Sequence, residues 1–366
     1  MRAPAARWAT AFVFFPAIAV ASSIRSVAAP EKGQGFDTAT FWAAGHAVVH
    51  GDSPYPNLSS LPAHAGPLFA PFVYPPVTAF ELAPLSALPY DVAKLIFALA
   101  SIGAIALALG LLGVRDWRCY AAVFSAAPVY AAVVIGTISP LLLLGAAAAW
   151  RYRHRAVVLG LLVAYLVTAK LFLWPLWLWL VATRRFRAAA VSAVAGVAAV
   201  AVSWAAIGFA GLRDYPALLQ RLSGLTGVHS YSLYALGAGR IVPFLTVVAV
   251  VVAAVLLHDD VRLFVVALGI ALLATPILWP HYLVLLLVPL ALVRPSFSVA
   301  WLAPLVLWAD CAAWSNSAPR TGVLLLLVAA GLGWTLTRRS GRAERVSLSR
   351  GAEIRTRELQ SPRLAR

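Results

Sequence analysis

The chain has 366 residues, of which 62% are hydrophobic and only 11% charged, whereas soluble globular domains run near roughly 45–50% and about 25%. That composition excludes an ordinary soluble enzyme. The formal net charge is +16, from 29 basic against 13 acidic residues, but the arginines are spread between apolar runs and share no single face, so no nucleic-acid surface follows. Cys119 and Cys311 stand far apart with no second Cys or His beside either, which gives neither a disulfide framework nor a zinc site.

Runs at 102–114, 141–150, 156–182, 188–208 and 247–257 are apolar without strand-like alternation, as lipid-facing helices must be when each backbone amide bonds within its own segment. The pattern predicts an all-α polytopic integral membrane protein. About twelve transmembrane helices fit, roughly at 8–24, 91–113, 118–134, 138–150, 155–169, 171–183, 188–208, 240–257, 261–276, 281–293, 297–312 and 320–337, and 1–337 then forms one membrane domain followed by a tail, 338–366. The first run follows Arg2 and Arg7 and reads as a retained span, because Ser22-Ser23-Ile24-Arg25 is a poor signal-peptide cleavage site. Residues 76–88 are apolar but short and broken by Pro84, which suits an interfacial or re-entrant helix better than a span.

Segment 156–182 lies between Arg151/Arg153/Arg155 and Arg184/Arg185/Arg187. One tilted helix would put these clusters on opposite sides of the membrane, whereas a hairpin with Lys170 near its tip keeps them together. With the hairpin and both termini cytoplasmic, 21 basic residues fall inside and seven outside, Lys94 being unassigned. That asymmetry is what the positive-inside rule requires; the expected location is a cell inner (plasma) membrane. The tail, with nine Arg against three Glu, reads either as a disordered topogenic segment or as a ligand for anionic headgroups.

Two longer segments, roughly 25–76 and 209–239, then lie outside and carry most of the chemistry-bearing residues, including Asp37, His46, His50, His64, Arg213, Tyr215, Arg221 and His229. Residues 36–51 suit an amphipathic surface helix, with Phe41, Ala44 and Val48 on one face and Gly51 at its end. Asp37 reads there either as the N-cap or as a general base at a desolvating lipid boundary. His46 and His50 have metal-compatible i,i+4 spacing, with only Asp52 as a further ligand, and read more simply as interfacial side chains. Lys170, alone in apolar sequence, reads either as a functional cation needing an anionic partner or as a snorkelling helix-end residue. His281 sits in the short turn Pro276-Ile277-Leu278-Trp279-Pro280-His281-Tyr282. No phosphate loop, His-Glu-x-x-His or Asp-x-Asp motif is present, so a donor already activated and already in the membrane fits better than a nucleotide.

Several segments together resemble glycosyltransferase family 87, enzymes of the GT-C type that use polyprenyl phosphate sugars. They are Asp37 followed by Phe41-Trp42-Ala43-Ala44 and Gly51-Asp52-Ser53-Pro54-Tyr55, then Tyr74-Pro75-Pro76 with Pro84-Leu85-Ser86-Ala87-Leu88-Pro89, the lone Lys170, and the turn from Pro276 to Tyr282. The family commonly has Gly-Gln where this chain reads Gly136-Thr137. The resemblance implies a GT-C-like fold with extracytoplasmic interfacial helices and inverting transfer of a sugar, most often mannose. The transfer runs from a polyprenyl-phosphate donor to a hydroxyl of a lipid-linked or cell-envelope glycan on the extracytoplasmic face, with no cofactor or metal. It implies Asp37 as catalytic base, Lys170 and His281 at the donor phosphate, and Trp42, Tyr55, Tyr74, Trp279 and Tyr282 as substrate-binding aromatics. A transporter or flippase of a lipid-linked sugar is the rival reading, and it expects internal duplication, of which the sequence shows none.

Overall fold

The structure is a computed structural model that describes residues 3–29, 35–61, 71–226, 230–234, 236, 237, 239, 241–257, 259–311 and 317–337. The tail 338–366, Lys32, His64, His229 and Arg240 lie outside the described residues. Among those described there is no β-strand. Sixteen α-helices follow in chain order: α1 (Ala3–Ala28), α2 (Phe36–Val49), α3 (Pro76–Ser86), α4 (Tyr90–Leu111), α5 (Trp117–Phe124), α6 (Ala127–Ile135), α7 (Ser139–Arg151), α8 (Ala156–Ala169), α9 (Pro175–Ala182), α10 (Phe186–Ala206), α11 (Tyr215–Thr226), α12 (Val242–Leu256), α13 (Asp260–Leu273), α14 (Leu287–Val293), α15 (Trp308–Cys311) and α16 (Ala318–Thr337). Tighter 3-10 turns occupy Pro280–Leu286 and Val299–Leu307.

By length and composition α4 and α10 can each cross a membrane alone, and α5 with α6 would make a third span. The apolar run at 118–134 is therefore not one straight helix but two, bent by 61°. The cause is local, since Ala126 precedes a helix with Pro128 in its first turn and takes an extended conformation. Six other apolar helices of 10–17 residues are shorter than a full crossing. The outer faces of these helices are oily: Val194, Val197 and Val202 on α10 are 70%, 71% and 68% exposed, and Phe244 on α12 is 70% exposed. A water-soluble monomer does not leave such stripes bare, so the chain has the surface of a membrane protein.

α7 forms the middle of the core, buried on nearly every side between α4, α8 and the Pro280–Leu286 turn. Around it, segment 156–182 resolves into a hairpin. A β-carbon on Gly160 would meet Ala188 and Val191, and one on Gly196 would meet Thr168 and Ala164, so later residues of α8 face later residues of α10. α8 and α10 therefore run in the same direction and α9 must return between them, as the 3.0 Å bond from Trp177 Nε1 to the Ala189 carbonyl also shows. The break is at Lys170, whose φ of −145° and ψ of 104° are extended.

Reversal at Lys170 brings the two arginine clusters to one end, where Asp260 at the start of α13 joins them. Arg185 reaches both its carboxylate oxygens at 2.8 and 2.7 Å, Arg153 approaches at 3.4 Å, and Trp179 Nε1 donates at 3.1 Å. Lys170 sits at the far end of α8, about 21 Å away at 1.5 Å per residue over 14 residues. Asp260→Ala removes the acceptor shared by these groups while leaving the other end of the bundle untouched. It is expected to lower unfolding free energy by about 1–3 kcal/mol, read as a fall in melting temperature in detergent.

Candidate active site

The position of Asp37 is fixed by contacts of its neighbours rather than by its own. Gly35, at φ 66°, holds the N-cap place of α2 and its N–H donates to Val134 O at 2.8 Å, while the Tyr90 hydroxyl donates to Gly35 O at 2.9 Å. Thr38 donates its hydroxyl to the Gly136 carbonyl at 3.3 Å. Gly136 itself lies at φ +75°, and a β-carbon there would overlap Thr38 Oγ1, so the close seat of α2 on the end of α6 requires glycine. The N-cap role offered for Asp37 is corrected: helix α2 starts at Phe36, Asp37 falls in its first turn, and no side chain caps it. Its carboxylate is left free for other work.

Across from it stands Lys170. Its ammonium lies 4.5 Å from the centroid of the Tyr74 ring and 4.4 Å from that of Tyr282, and it donates to the Tyr282 hydroxyl at 2.5 Å. Two aromatic faces are favourable neighbours for a cation taken from water. Tyr74 in turn packs on Phe41 of α2, with ring centroids 5.3 Å apart, and Tyr282 stacks on Phe172 at 5.2 Å and meets His281 edge to face at 4.7 Å. Asp37, Tyr74, Lys170 and Tyr282 are electrostatic neighbours, and His281 senses the Lys170 charge. These five come from residues 37–74, 170 and 281–282, stretches 96 and 111 positions apart, and the fold brings them to one place.

Asp37 and Lys170 keep part of their surface accessible while protein surrounds them on most sides. Burial pushes the Asp37 carboxyl up to about 7, with the positive charge of Lys170 pulling the other way. The Tyr74 hydroxyl is pushed well above its ordinary value by burial and then by the nearby Asp37. A carboxyl titrating near neutrality beside a cation is suited to accept a proton from a bound hydroxyl.

The remaining sequence-predicted residues lie around this cluster or away from it. Tyr55 touches the site through backbone, donating its hydroxyl to Tyr74 O at 2.7 Å. Trp279 is half-buried at the mouth of the Pro280–Leu286 turn, and its carbonyl accepts from Tyr282 N–H at 2.9 Å. Trp42 faces another way, with Nε1 donating to Leu88 O at 2.9 Å and its ring against Tyr90 and His46. The rings of His46 and His50 stack 4.4 Å apart, and His50 Nδ1 bonds to the His46 carbonyl at 2.7 Å. Among the described residues no three His, Cys, Asp or Glu are grouped at metal spacing. Arg213 and Arg221 are exposed.

Two residues escaped the sequence reading. Tyr215 looked like one more polar residue of a long segment, but its hydroxyl donates to Val73 O at 2.9 Å. Glu81 was passed over inside an apolar helix, yet burial pushes its carboxyl up to about 7, and it stands near Tyr165 of α8. A charge inside an apolar run was the signal that could have drawn attention to it.

The model of glycosyltransferase family 87 matches residues 72–279. The chain belongs to glycosyltransferase family 87. It is a glycosyltransferase with the composition and surface of a membrane protein, and such an enzyme takes a sugar donor and an acceptor. The matched stretch includes Tyr74, Lys170 and Trp279, whereas Asp37, His281 and Tyr282 lie beyond it and join the site only through the fold. No curated protein and no solved structure is similar enough to this chain to count as a match.

On the reading of Asp37 as a general base, which must be ionised to act, transfer by wild type is expected to rise with pH through a limb centred at about 7. Lys170→Gln removes the charge that holds the Asp37 carboxyl down, so the residual activity is expected to show this limb at higher pH. A pH profile of kcat/KM for both proteins reads the shift, and an unmoved limb would separate Asp37 from Lys170.

Proposed function

We propose that this glycosyltransferase moves a sugar, mannose in the first instance, from a polyprenyl-phosphate donor to a hydroxyl of a lipid-linked or cell-envelope glycan, with inversion at the anomeric carbon. The supporting observation is the convergence of Asp37 and Lys170 at one place in the fold, a carboxyl titrating near neutrality within electrostatic reach of a cation held between tyrosine rings. The acceptor hydroxyl gives its proton to Asp37 as its oxygen forms a bond to the anomeric carbon. On the opposite face the bond from that carbon to the phosphate oxygen breaks, and the polyprenyl phosphate leaves with the electron pair. Lys170 and a ring N–H of His281 neutralise the charge that gathers on the departing oxygens. A phosphate diester needs no strong acid to leave, so one base and an anion site suffice.

Depth supports a lipid-borne donor. Lys170 is about 21 Å from the arginine end along α8, short of the approximately 30 Å hydrocarbon thickness of a bilayer. With the arginine end cytoplasmic, the site lies towards the outer leaflet of an inner membrane. Tyr74, Trp279 and Tyr282 then serve as apolar walls for the sugar or the prenyl chain, with Tyr55 and Trp42 supporting the first outer segment. The about twelve-span, GT-C-like arrangement with both termini cytoplasmic belongs to this same reading. A flippase has less support, because the polar residues converge at one end of the bundle rather than along a path through it.

Sugar transfer from polyprenyl-phosphate-mannose should be seen in membranes carrying wild-type protein. Asp37→Asn at matched abundance is expected to reduce it by about 10²–10⁴-fold, and Lys170→Ala by about 10²-fold. Retention of transfer by Asp37→Asn would take the base away from Asp37 and make Glu81 the next carboxylate to test. For orientation, single cysteines placed at Asp52 and at His154 in a background lacking Cys119 and Cys311 are expected to label from opposite faces. Labelling of both from one face would remove the assignment of the site to the outer side.

A further inference from the structure

The segment that follows α10 grips the candidate site at two separate points. Near its start the Tyr215 ring packs against Tyr55 and Trp204, with centroids 5.1 and 5.6 Å away. Its hydroxyl donates to the carbonyl of Val73, and the Tyr55 hydroxyl donates to the next carbonyl, that of Tyr74, at 2.9 and 2.7 Å. Two phenols thereby hold two successive peptide units in the extended stretch that delivers Tyr74. Gly211, at φ +80°, makes the turn against Ser53 and Tyr55 that lets α11 start there.

At the other end of the same segment Ser230 Oγ accepts from Leu278 N–H at 2.9 Å. Tyr231 N–H donates to the Leu278 carbonyl at 2.9 Å, and the Ser232 hydroxyl donates to the Pro276 carbonyl at 2.7 Å. Leu278 lies three residues before His281, and the chain passes directly from it into the turn that carries His281 and Tyr282. One segment is therefore fastened to both walls of the place occupied by Lys170: the wall made by Tyr74 and the wall made by Tyr282.

We infer that Tyr215 and Ser230 are positioning residues, which set the separation of the Tyr74 and Tyr282 rings around the Lys170 ammonium by fixing the backbone that bears each ring. The inference rests on the reading of Lys170 as the donor-phosphate cation for its consequence in catalysis, but the geometric claim can be read without any substrate. If either hydrogen bond is removed, the corresponding ring loosens and Lys170 becomes more accessible. The catalytic loss then follows from a misplaced cation rather than from a missing one.

The test uses purified full-length wild type, Tyr215→Phe and Ser230→Ala, with Ser230→Thr as the variant that keeps a hydroxyl. Tyr215→Phe keeps the ring stack and loses only the bond to Val73. The chain has three lysines, so the rate at which an amine-reactive reagent modifies Lys170 can be followed by mass spectrometry, with Lys94 as the internal reference. Both deletion variants are expected to raise the Lys170 rate about fivefold, the effect of losing a hydrogen bond of ordinary strength, with Lys94 unchanged and Ser230→Thr like wild type. In transfer assays kcat is expected to fall by a similar factor at unchanged acceptor KM. Folded variants in which Lys170 reacts at the wild-type rate would overturn the inference, whatever transfer does. A raised Lys170 rate together with no transfer by wild type would uphold the positioning claim and count against the proposed reaction. Should Tyr215→Phe fail to fold, Ser230→Ala decides alone.

Discussion

A cation buried in apolar sequence must be given partners, and the candidate site is organised around how the fold does this for Lys170. At the point where α8 ends, the extended backbone of Lys170 turns the chain back, and its ammonium meets two tyrosine rings and one hydroxyl. Desolvating an ammonium is costly, so these contacts constrain the elements that provide them. Tyr74 must arrive from the first long segment and Tyr282 from the turn after α13. The carboxyl of Asp37 completes the electrostatics from α2. The candidate site thus coincides with the break in the helical hairpin at Lys170, where the backbone leaves helix geometry.

The opposite end of the bundle uses the same physics with the signs reversed in number. There a single acceptor, Asp260, serves Arg153, Arg185 and Trp179, while the other arginines of both clusters remain in excess. Because α8 and α10 run in the same direction with α9 returning between them, both clusters share that end and Lys170 has the other. Charge asymmetry along the bundle and the location of Lys170 are therefore consequences of one reversal. It also explains how a segment as apolar as 156–182 can carry Lys170 while both arginine clusters stay at one end.

Part of this was legible in the residues. Composition, the lengths of apolar runs, the amphipathic face of α2 and the break in 156–182 follow from local rules of hydrophobicity and charge, and the structure has elements at all of those places. Where proline and helix propensity compete, the reading was coarser: 118–134 looked like one span because both halves are apolar, and only the packed structure displays the bend before Pro128. Asp37 suggested a cap because Asp commonly caps helices, but the left-handed Gly35 holds the cap place two residues earlier. Tyr215 gave little sign, since a tyrosine that bonds to a distant carbonyl has the same sequence appearance as any interfacial anchor.

The sequence by itself determined that the chain is helical and membrane-bound, that its arginines fall in short clusters between apolar runs, and that Asp37, Lys170 and His281 are exceptional among their neighbours. These are properties of composition and of residues close along the chain, which hydrophobic period and charge spacing record directly. Tertiary structure alone decided that Asp37, Tyr74, Lys170, His281 and Tyr282 meet, that Trp42 faces another way, and that the segment from Tyr215 to Ser232 ties the two walls together. Those relations depend on hydrogen bonds and ring contacts across 19 to 142 positions of chain. Their strength comes from angles and distances that no local pattern of residues encodes.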